Sequence, residues 1–156
     1  MKAREIAEAY PTVRLDSGAV EAARLLTEHN RPALVVVDTH DHPVAILPGS
    51  QVLRLVIPGY LQDDVNLAAV VDEQFIDQMC DTLVGKTVAE LLPRDRAALP
   101  VVGPDDTVLE VAVLMVAERS PLVAVVDGSG KKAPMTGAVT LTAVLRAILP
   151  ERLAGA

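Results

Sequence analysis

The sequence predicts a mixed α/β fold made of two copies of one β-α-β-β-α unit, with an extra helical segment between the copies. The first observation behind this prediction is an internal repeat. Thr12–Asp38 aligns without a gap on Val101–Asp127, and nine of the 27 aligned pairs are identical. The second is that extended and helical patterns follow one another in the same order in both copies, so one structural unit accounts for both.

The repeat continues beyond these segments and sets the expected domain boundaries. Val44–Pro58 aligns on Thr136–Pro150, with four identical pairs among 15. We therefore place the first repeat at residues 1–58, a helical connector at 59–85 and the second repeat at 86–156. A 156-residue chain in which half the residues are hydrophobic (51%) can bury a substantial core.

Each copy opens with an extended segment, Thr12–Leu15 or Leu99–Val102, followed by a helix. In both helices the apolar residues recur at i, i+3, i+4 and i+7, which places them on one face. They are Ala19, Ala22, Ala23 and Leu26 in the first copy and Val108, Val111, Ala112 and Met115 in the second.

Polar residues and prolines predict where these helices begin and end. Asp16-Ser17 and Asp105-Asp106-Thr107 provide N-cap residues, and Thr107 with Glu110 fits a capping box. Arg31-Pro32 and Ser120-Pro121 end the helices, because proline cannot continue them.

The second half of each copy predicts a hairpin and a helix. Near-continuous apolar runs predict buried central strands at Ala33–Asp38 and Leu122–Asp127. Turn residues and a second strand follow each run, at Val44–Leu47 and Thr136–Val139. A last helix is expected over about Ser50–Ile57 and Leu141–Leu149, and a short helix precedes each copy, at Arg4–Ala9 and Thr87–Leu92.

The connector predicts further helices. Polar and apolar residues alternate in it with helical spacing, and its length suggests one or two helices. Asp63-Asp64 and Asp72-Glu73 are interpreted as solvated charges at helix starts. Two roles stay open for this segment: a covering or dimer-contact element, and a simple packed connector.

Composition excludes several classes of function. Aromatic residues make up 2% of the chain and the net charge is −7, which argues against nucleic-acid binding. The apolar runs are far shorter than the ~20 residues that span a bilayer, and the N-terminus lacks the apolar stretch of a signal peptide. We therefore expect a soluble, cytoplasmic protein without membrane insertion. Cys80 stands alone, so no intrachain disulfide forms.

The repeated order of elements resembles the tandem CBS (cystathionine-β-synthase-type) domain pair. The resemblance covers nearly all of the chain outside the connector. It is carried by the strand ends Val-Val-Val-Asp and Ala-Val-Val-Asp, by Pro32 and Pro121, and by Gly137-Ala138-Val139-Thr140. The family implies two repeats packed in a pseudo-two-fold arrangement, frequent homodimers, and clefts that bind adenosine nucleotides or S-adenosylmethionine.

The family's nucleotide motif, Gly-x-x-Thr/Ser-x-x-Asp, is present only in part. The second copy keeps Thr140 but has Ala143 at the Asp position. The first copy has Ala45, Pro48 and Gln51 at the three motif positions. A threonine hydroxyl at a helix start can hold a phosphate, whereas the missing Asp would bind ribose hydroxyls.

The resemblance therefore assigns a ligand site to the second repeat. Its residues are Ser120, Pro121, Leu122, Thr140 and Thr142. Thr142 or Gln51 is a substitute for the missing ribose contact, and the competing interpretation of Thr140 is a helix cap. The expected ligand is of the AMP, ATP or S-adenosylmethionine type, and no cofactor is required.

Three other motifs favour ordinary structural roles. His40-Asp41-His42 contains metal-ligand residue types, but three adjacent residues rarely converge on one ion, so a solvated turn is expected. Cys80 lies between acidic neighbours, which lower the reactivity of a thiol, so we expect a packed or inert cysteine. Gly128–Lys132 lacks the spacing of a phosphate loop and is interpreted as a hairpin turn.

No set of catalytic residues is recognisable in the sequence, so we expect no enzymatic activity. The leading hypothesis is a stand-alone regulatory CBS pair, a homodimer that senses a small ligand at its second repeat. The alternative is a degenerate pair that acts as a protein-interaction module on a separately encoded enzyme or membrane transporter.

Overall fold

The computed structural model describes residues 1–96, 98–128 and 132–154. Within these residues the helices and strands follow the order that the repeat predicts, with additions in the connector and at the C-terminal end. The elements are α1 (Ala3–Ile6), β1 (Thr12–Arg14), α2 (Ala19–Glu28), β2 (Ala33–Val37), β3 (Pro43–Pro48), α3 (Gly49–Val56), α4 (Gly59–Asp63), α5 (Val65–Ala68), α6 (Glu73–Asp81), α7 (Val88–Leu91), β4 (Val101–Val102), α8 (Val108–Glu118), β5 (Leu122–Val126), β6 (Met135–Thr140), α9 (Leu141–Ile148) and α10 (Glu151–Ala154).

The strands of the described residues form two three-stranded sheets, ordered β1-β2-β3 and β4-β5-β6. In the second sheet β5 pairs in parallel with β4 and antiparallel with β6. Leu122 lies opposite Thr140, and a register shift between Val125 and Val126 interrupts the β5–β6 ladder. The predicted mixed α/β class is confirmed.

The central strands are buried, as their apolar runs predict. Every residue of β2 and of β5 is buried. β2 ends one residue earlier than expected, because the Asp38 carboxylate turns back and accepts the N–H groups of His40 (2.8 Å) and His42 (3.1 Å). The His40 N–H bond is the main cause that lowers the pKa of Asp38.

The two long helices begin differently. In α8 the predicted capping box is confirmed, since Thr107 Oγ1 accepts from Glu110 N (3.2 Å) and Glu110 Oε2 accepts from Thr107 N (2.6 Å). The Thr107 N–H, followed by its hydroxyl, lowers the pKa of Glu110. In α2 the prediction that Asp16-Ser17 provides the cap is wrong: Gly18 is the N-cap and no side chain caps the helix.

The helices end before the prolines that were expected to stop them. α2 ends at Glu28 and α8 at Glu118. The chain then reverses through a left-handed residue at equivalent positions, Asn30 (φ 49°) and Arg119 (φ 51°). A left-handed residue ends a helix because it turns the backbone away from the helical path.

The chain divides into two compact units that do not coincide with the two sequence repeats. One unit comprises Met1–Tyr10, Val37–Ala45 and Ala97–Ala156, and the other comprises Pro11–Val36 and Ile46–Arg96. The short helix α1 therefore packs in the unit of the second repeat, where Ala3 N donates to Asp106 O (2.7 Å). In the same way α7 packs against α2 and α3.

Each unit has an apolar core. In the unit of the second repeat the core joins α8, α9 and the sheet, and its buried residues are Ala3, Val102, Val108, Val111, Met115, Val123, Val125, Val139 and Val144. In the other unit the fully buried large side chains come from β2, β3 and α7, and they are Leu34, Val35, Val36, Leu47, Val88 and Leu91.

Two helical regions differ from expectation. The fully described connector folds into α4, α5 and α6, three short helices where one or two were predicted. Asp64 and Asp72 cap α5 and α6, and Glu73 lies in the first turn of α6, which confirms their interpretation as helix-start charges. For Asp63 the interpretation is wrong, because this residue is the last of α4. The C-terminal helix α10 was not predicted. Among the described residues, no helix is long and apolar enough to span a membrane.

Candidate ligand site of the second repeat

The structure brings the five predicted site residues together at one end of the second sheet. Ser120 and Pro121 form the loop before β5, and Leu122 is the first residue of that strand. Thr140 ends β6 directly opposite Leu122, and Thr142 lies in the first turn of α9. A backbone bond from Leu141 N to Pro121 O (2.9 Å) joins the loop to the helix start.

The Thr140 side chain caps α9. Its Oγ1 accepts a hydrogen bond from Ala143 N at 3.1 Å, and the backbone of Thr140 is extended (φ −89°, ψ 157°) as an N-cap requires. The helix-cap interpretation is therefore confirmed. A hydroxyl can accept a second bond and donate its own proton, so the cap does not by itself prevent a ligand contact.

The Ser120 hydroxyl is also engaged within the loop. Ser120 Oγ donates to Leu122 O at 2.7 Å, and Leu122 N lies 3.4 Å from the same oxygen. Thr142 differs, since its side chain is exposed and its hydroxyl makes no hydrogen bond within the part of the chain that the structure describes. Thr142 is thus the uncommitted polar group of the five residues.

An apolar groove of about 390 Å³ adjoins the site between α8 and α9. The helices contribute seven apolar side chains and the loop contributes Pro121, while Arg119 and Ser120 are the polar members. The helix residues are Ala112, Met115, Val116, Leu141, Val144, Leu145 and Ile148. Sequence reasoning missed this groove, although apolar residues on more than one side of α9 were a visible signal.

The first repeat has the same backbone junction with different side chains. Gly49 N donates to Pro32 O at 2.8 Å, as Leu141 N does to Pro121 O. Pro48, the counterpart of Thr140, provides no side-chain cap. Gln51, at the position of the family's Asp, donates its amide to Leu91 O (2.9 Å), so it is committed to packing against α7.

A close backbone contact explains the glycine at position 137 without reference to a ligand. A Cβ at this position would lie 3.1 Å from Glu8 O, which is tighter than ordinary contact. The N-terminal segment and β6 are hydrogen-bonded next to Gly137, because Glu8 N donates to Ala138 O (2.9 Å) and Ala138 N donates to Glu8 O (3.0 Å). A glycine therefore permits the N-terminal segment to cross close over β6.

The described residues of the remaining motifs do not form a metal-binding or catalytic arrangement. His40 is exposed, while His42 is half-buried with Nδ1 2.7 Å from Ala133 O, so the turn is less solvated than expected. The described residues contain no cluster of three His, Cys, Asp or Glu that could hold a metal. Cys80 is exposed, which contradicts a packed cysteine. Of the expected hairpin turn at Gly128–Lys132, residues 129–131 lie outside the described residues.

Comparison with known proteins identifies the family. The family model for the CBS domain matches residues 88–150. The crystal structure of a CBS domain-containing protein of unknown function from Kribbella flavida DSM 17836 is 47% identical, with a TM-score of 0.83, and the match covers 96% of this chain and 99% of that chain. The chain belongs to the CBS-domain family. A search of curated proteins finds no match.

More distant CBS structures share the fold. The CBS domain of a CBS domain-containing membrane protein from Sphaerobacter thermophilus is 23% identical, with a TM-score of 0.70 and coverage of 97% of this chain and 90% of that chain. CBSX2, a CBS-pair protein of Arabidopsis thaliana, was solved in complex with AMP. That complex is 21% identical, with a TM-score of 0.63 and 94% coverage of each chain. The fold is that of a CBS pair.

Proposed function

We propose that this CBS pair is a regulatory protein without catalytic activity, and that its second repeat binds a small ligand of the adenosine-nucleotide type. The observation that carries the proposal is the junction at the end of the second sheet. There the Pro121 carbonyl bonds to Leu141 N, and the hydroxyls of Thr140 and Thr142 lie at the start of one helix. The AMP complex of CBSX2 supports the ligand class at the level of the fold.

The chemistry available at this junction suits part of a nucleotide. Thr142 has a free hydroxyl to donate at the start of α9, where the helix dipole favours an anion. Two N–H groups of this turn are already bonded, Leu141 N to Pro121 O and Ala143 N to Thr140 Oγ1, so the hydroxyl is the main donor for a ligand. No carboxylate replaces the family's Asp, because Ala143 stands at that position. We therefore expect weaker ribose recognition than in a complete motif, by about one to two decades in affinity.

The test is a thermal-shift titration with AMP, ADP, ATP, S-adenosylmethionine and cyclic dinucleotides. A ligand at 100 times its Kd stabilises the fold by about 2.7 kcal/mol, which raises Tm by about 5–10 °C for a chain of this size. Thr142→Val, which removes the hydroxyl and keeps the shape, should reduce the ligand-induced shift. Thr140→Ser keeps the helix cap and should preserve the ligand-induced shift.

Ser50→Ala is the matched control, because Ser50 is the counterpart of Thr142 in the first repeat. It should leave the ligand-induced shift unchanged. An equal loss in Ser50→Ala and Thr142→Val would show that the assigned repeat is wrong. No shift with any of these ligands would refute nucleotide binding.

The second candidate function is a protein-interaction module that regulates a separately encoded enzyme or transporter. This function is favoured because polar groups at the motif positions already make hydrogen bonds within the chain. Thr140 caps its own helix, Ser120 bonds within its loop, and Gln51 packs on α7. A degenerate site of this kind would leave surface contacts as the means of regulation.

We also propose that the chain forms a homodimer through the outer face of α8 and α9. This face exposes large apolar side chains that extend the groove, namely Leu109, Val113, Val116, Leu141, Leu145, Ile148 and Leu149. The corresponding face of α2 is more polar, with Arg24 and Thr27 at the positions of Val113 and Val116. A contiguous apolar surface on one repeat alone favours pairing through that repeat.

A further inference from the structure

The connector, residues 59–85, leaves most of its apolar side chains uncovered. Every residue of this segment is described, and its buried hydrophobic residues are Leu61 and Leu83. Six large hydrophobic side chains are exposed, by between 44% and 80%. They are Tyr60, Val65, Leu67, Val70, Ile76 and Val84. Six exposed large hydrophobic side chains within one segment favour an interaction surface.

The same segment concentrates the net charge of the chain. It contains six of the 21 acidic residues and no Lys, Arg or His, whereas the rest of the chain has 15 acidic and 14 basic residues. All six carboxylate side chains are exposed. The acidity of the protein is therefore a local property of the connector.

The fold explains only some of these acids. Asp64 accepts from Asn66 N (3.0 Å) and Asp72 accepts from Phe75 N (3.0 Å), so both cap helices. Glu73, Asp77 and Asp81 recur every four residues along α6 and share one side of it.

Within this acidic stripe, Glu73, Asp77 and Asp81, like charges at i and i+4 repel each other at a cost in stability. The helix dipole disfavours an anion at Asp81, at the C-terminal end of α6, and favours one at Glu73, in the first turn. None of the three forms an ion pair with any residue that the structure describes. Cations supplied from outside the chain would remove this cost.

We propose that the connector is a docking surface for a partner protein whose contact face is apolar and bordered by basic residues. The exposed apolar side chains would pack on the apolar part of that face, and the acidic stripe would pair with the basic residues at its border. Nucleic acid and anionic lipid surfaces are repelled, and two connectors would repel each other, so charge complementarity selects a basic protein.

The inference rests on the second candidate function, in which the chain regulates a separate partner, and it identifies the surface and the chemistry of that partner. It does not depend on the ligand site. A connector variant should therefore keep whatever ligand-induced thermal shift the unmodified chain shows, so each proposal can fail without the other.

The experiment measures binding of a fluorescent synthetic peptide to the full chain by anisotropy. The peptide is an amphipathic helix with a leucine face bordered by lysines. We expect binding that weakens as salt is raised. Glu73→Gln/Asp77→Asn/Asp81→Asn should weaken it about tenfold, since each exposed charge pair contributes about two- to threefold. Ile76→Ser/Val84→Ser should weaken binding at every salt concentration.

The matched control is Glu21→Gln/Glu28→Gln/Glu118→Gln, which makes the same change in net charge on exposed residues outside the connector. Its affinity should stay within about twofold of the unmodified chain. Equal losses in the two triple variants, or no binding of the lysine peptide, would overturn the proposal. So would a lower oligomeric mass of Ile76→Ser/Val84→Ser, because a second copy would then be the occupant.

Discussion

Thr140 and Gly137 belong to one family motif, yet the structure gives each of them a role within the fold. The Thr140 hydroxyl caps α9, and Gly137 makes room for the Glu8 carbonyl 3.1 Å from its hypothetical Cβ. In the first repeat Pro48 replaces the cap and Ala45 replaces the glycine. A motif residue is thus evidence of ligand binding only when its role within the fold does not already explain it.

The role of Gly137 can be tested by Gly137→Ala. The added methyl would press on the Glu8 backbone, which bonds to Ala138 in both directions and has little freedom to move. We expect a loss of about 1–2 kcal/mol in unfolding free energy, measured by urea denaturation. Gly59→Ala is the control, because a Cβ at Gly59 meets nothing within 4 Å and should be neutral or slightly stabilising. Equal effects of the two changes would contradict the close-approach argument.

At the scale of elements, the two repeats use the same geometry with different side chains. A left-handed residue follows both α2 and α8, at the equivalent positions Asn30 and Arg119. Both repeats also bond the loop proline carbonyl to the start of the next helix. Asn adopts the left-handed region more easily than Arg, because its short amide can bond locally. The second repeat therefore stores backbone strain that the first largely avoids.

Arg119→Gly should release this strain. Glycine adopts a positive φ without steric cost, so we expect a gain of about 0.5–1 kcal/mol and a rise in Tm of a few degrees by differential scanning calorimetry. Asn30→Gly, at the equivalent position of the first repeat, should gain less. A larger gain from Asn30→Gly than from Arg119→Gly would refute the argument.

At the scale of the whole molecule, two groups of exposed apolar side chains differ in their charge. The face of α8 and α9 belongs to the second repeat, whereas the apolar side chains of the connector lie in a segment with six acidic residues and no basic one. The proposed homodimer and the proposed partner docking therefore use separate surfaces. A regulatory protein with two such surfaces could pair with itself and still bind another protein.

The homodimer predicts a mass of twice 16.5 kDa by light scattering at micromolar concentration. Val116→Glu should give the monomer mass, because the interface would bury an unpaired charge from each copy. Thr27→Glu is the matched control at the equivalent exposed position of α2 and should stay dimeric. A monomeric unmodified chain would refute the dimer, and dissociation by Thr27→Glu alone would place the interface on the first repeat.

The sequence by itself determined the repeat, the order of the elements, the buried central strands and the family. These follow from local periodicity and from a constant alignment offset, as in Ala33–Val37 against Leu122–Val126. The capping box of Thr107 and Glu110 was equally legible, because both partners lie within one turn of the chain.

Only the tertiary structure decided what depends on contacts distant in sequence. The packing of α1 with the second repeat and of α7 with α2 and α3, the contact of Glu8 with Gly137, and the apolar groove of α8 and α9 join residues far apart in the chain. No local pattern records such contacts. The commitment of the Gln51 amide to Leu91 O and the full exposure of the connector's acids were decided in the same way, because burial is a property of the folded surface.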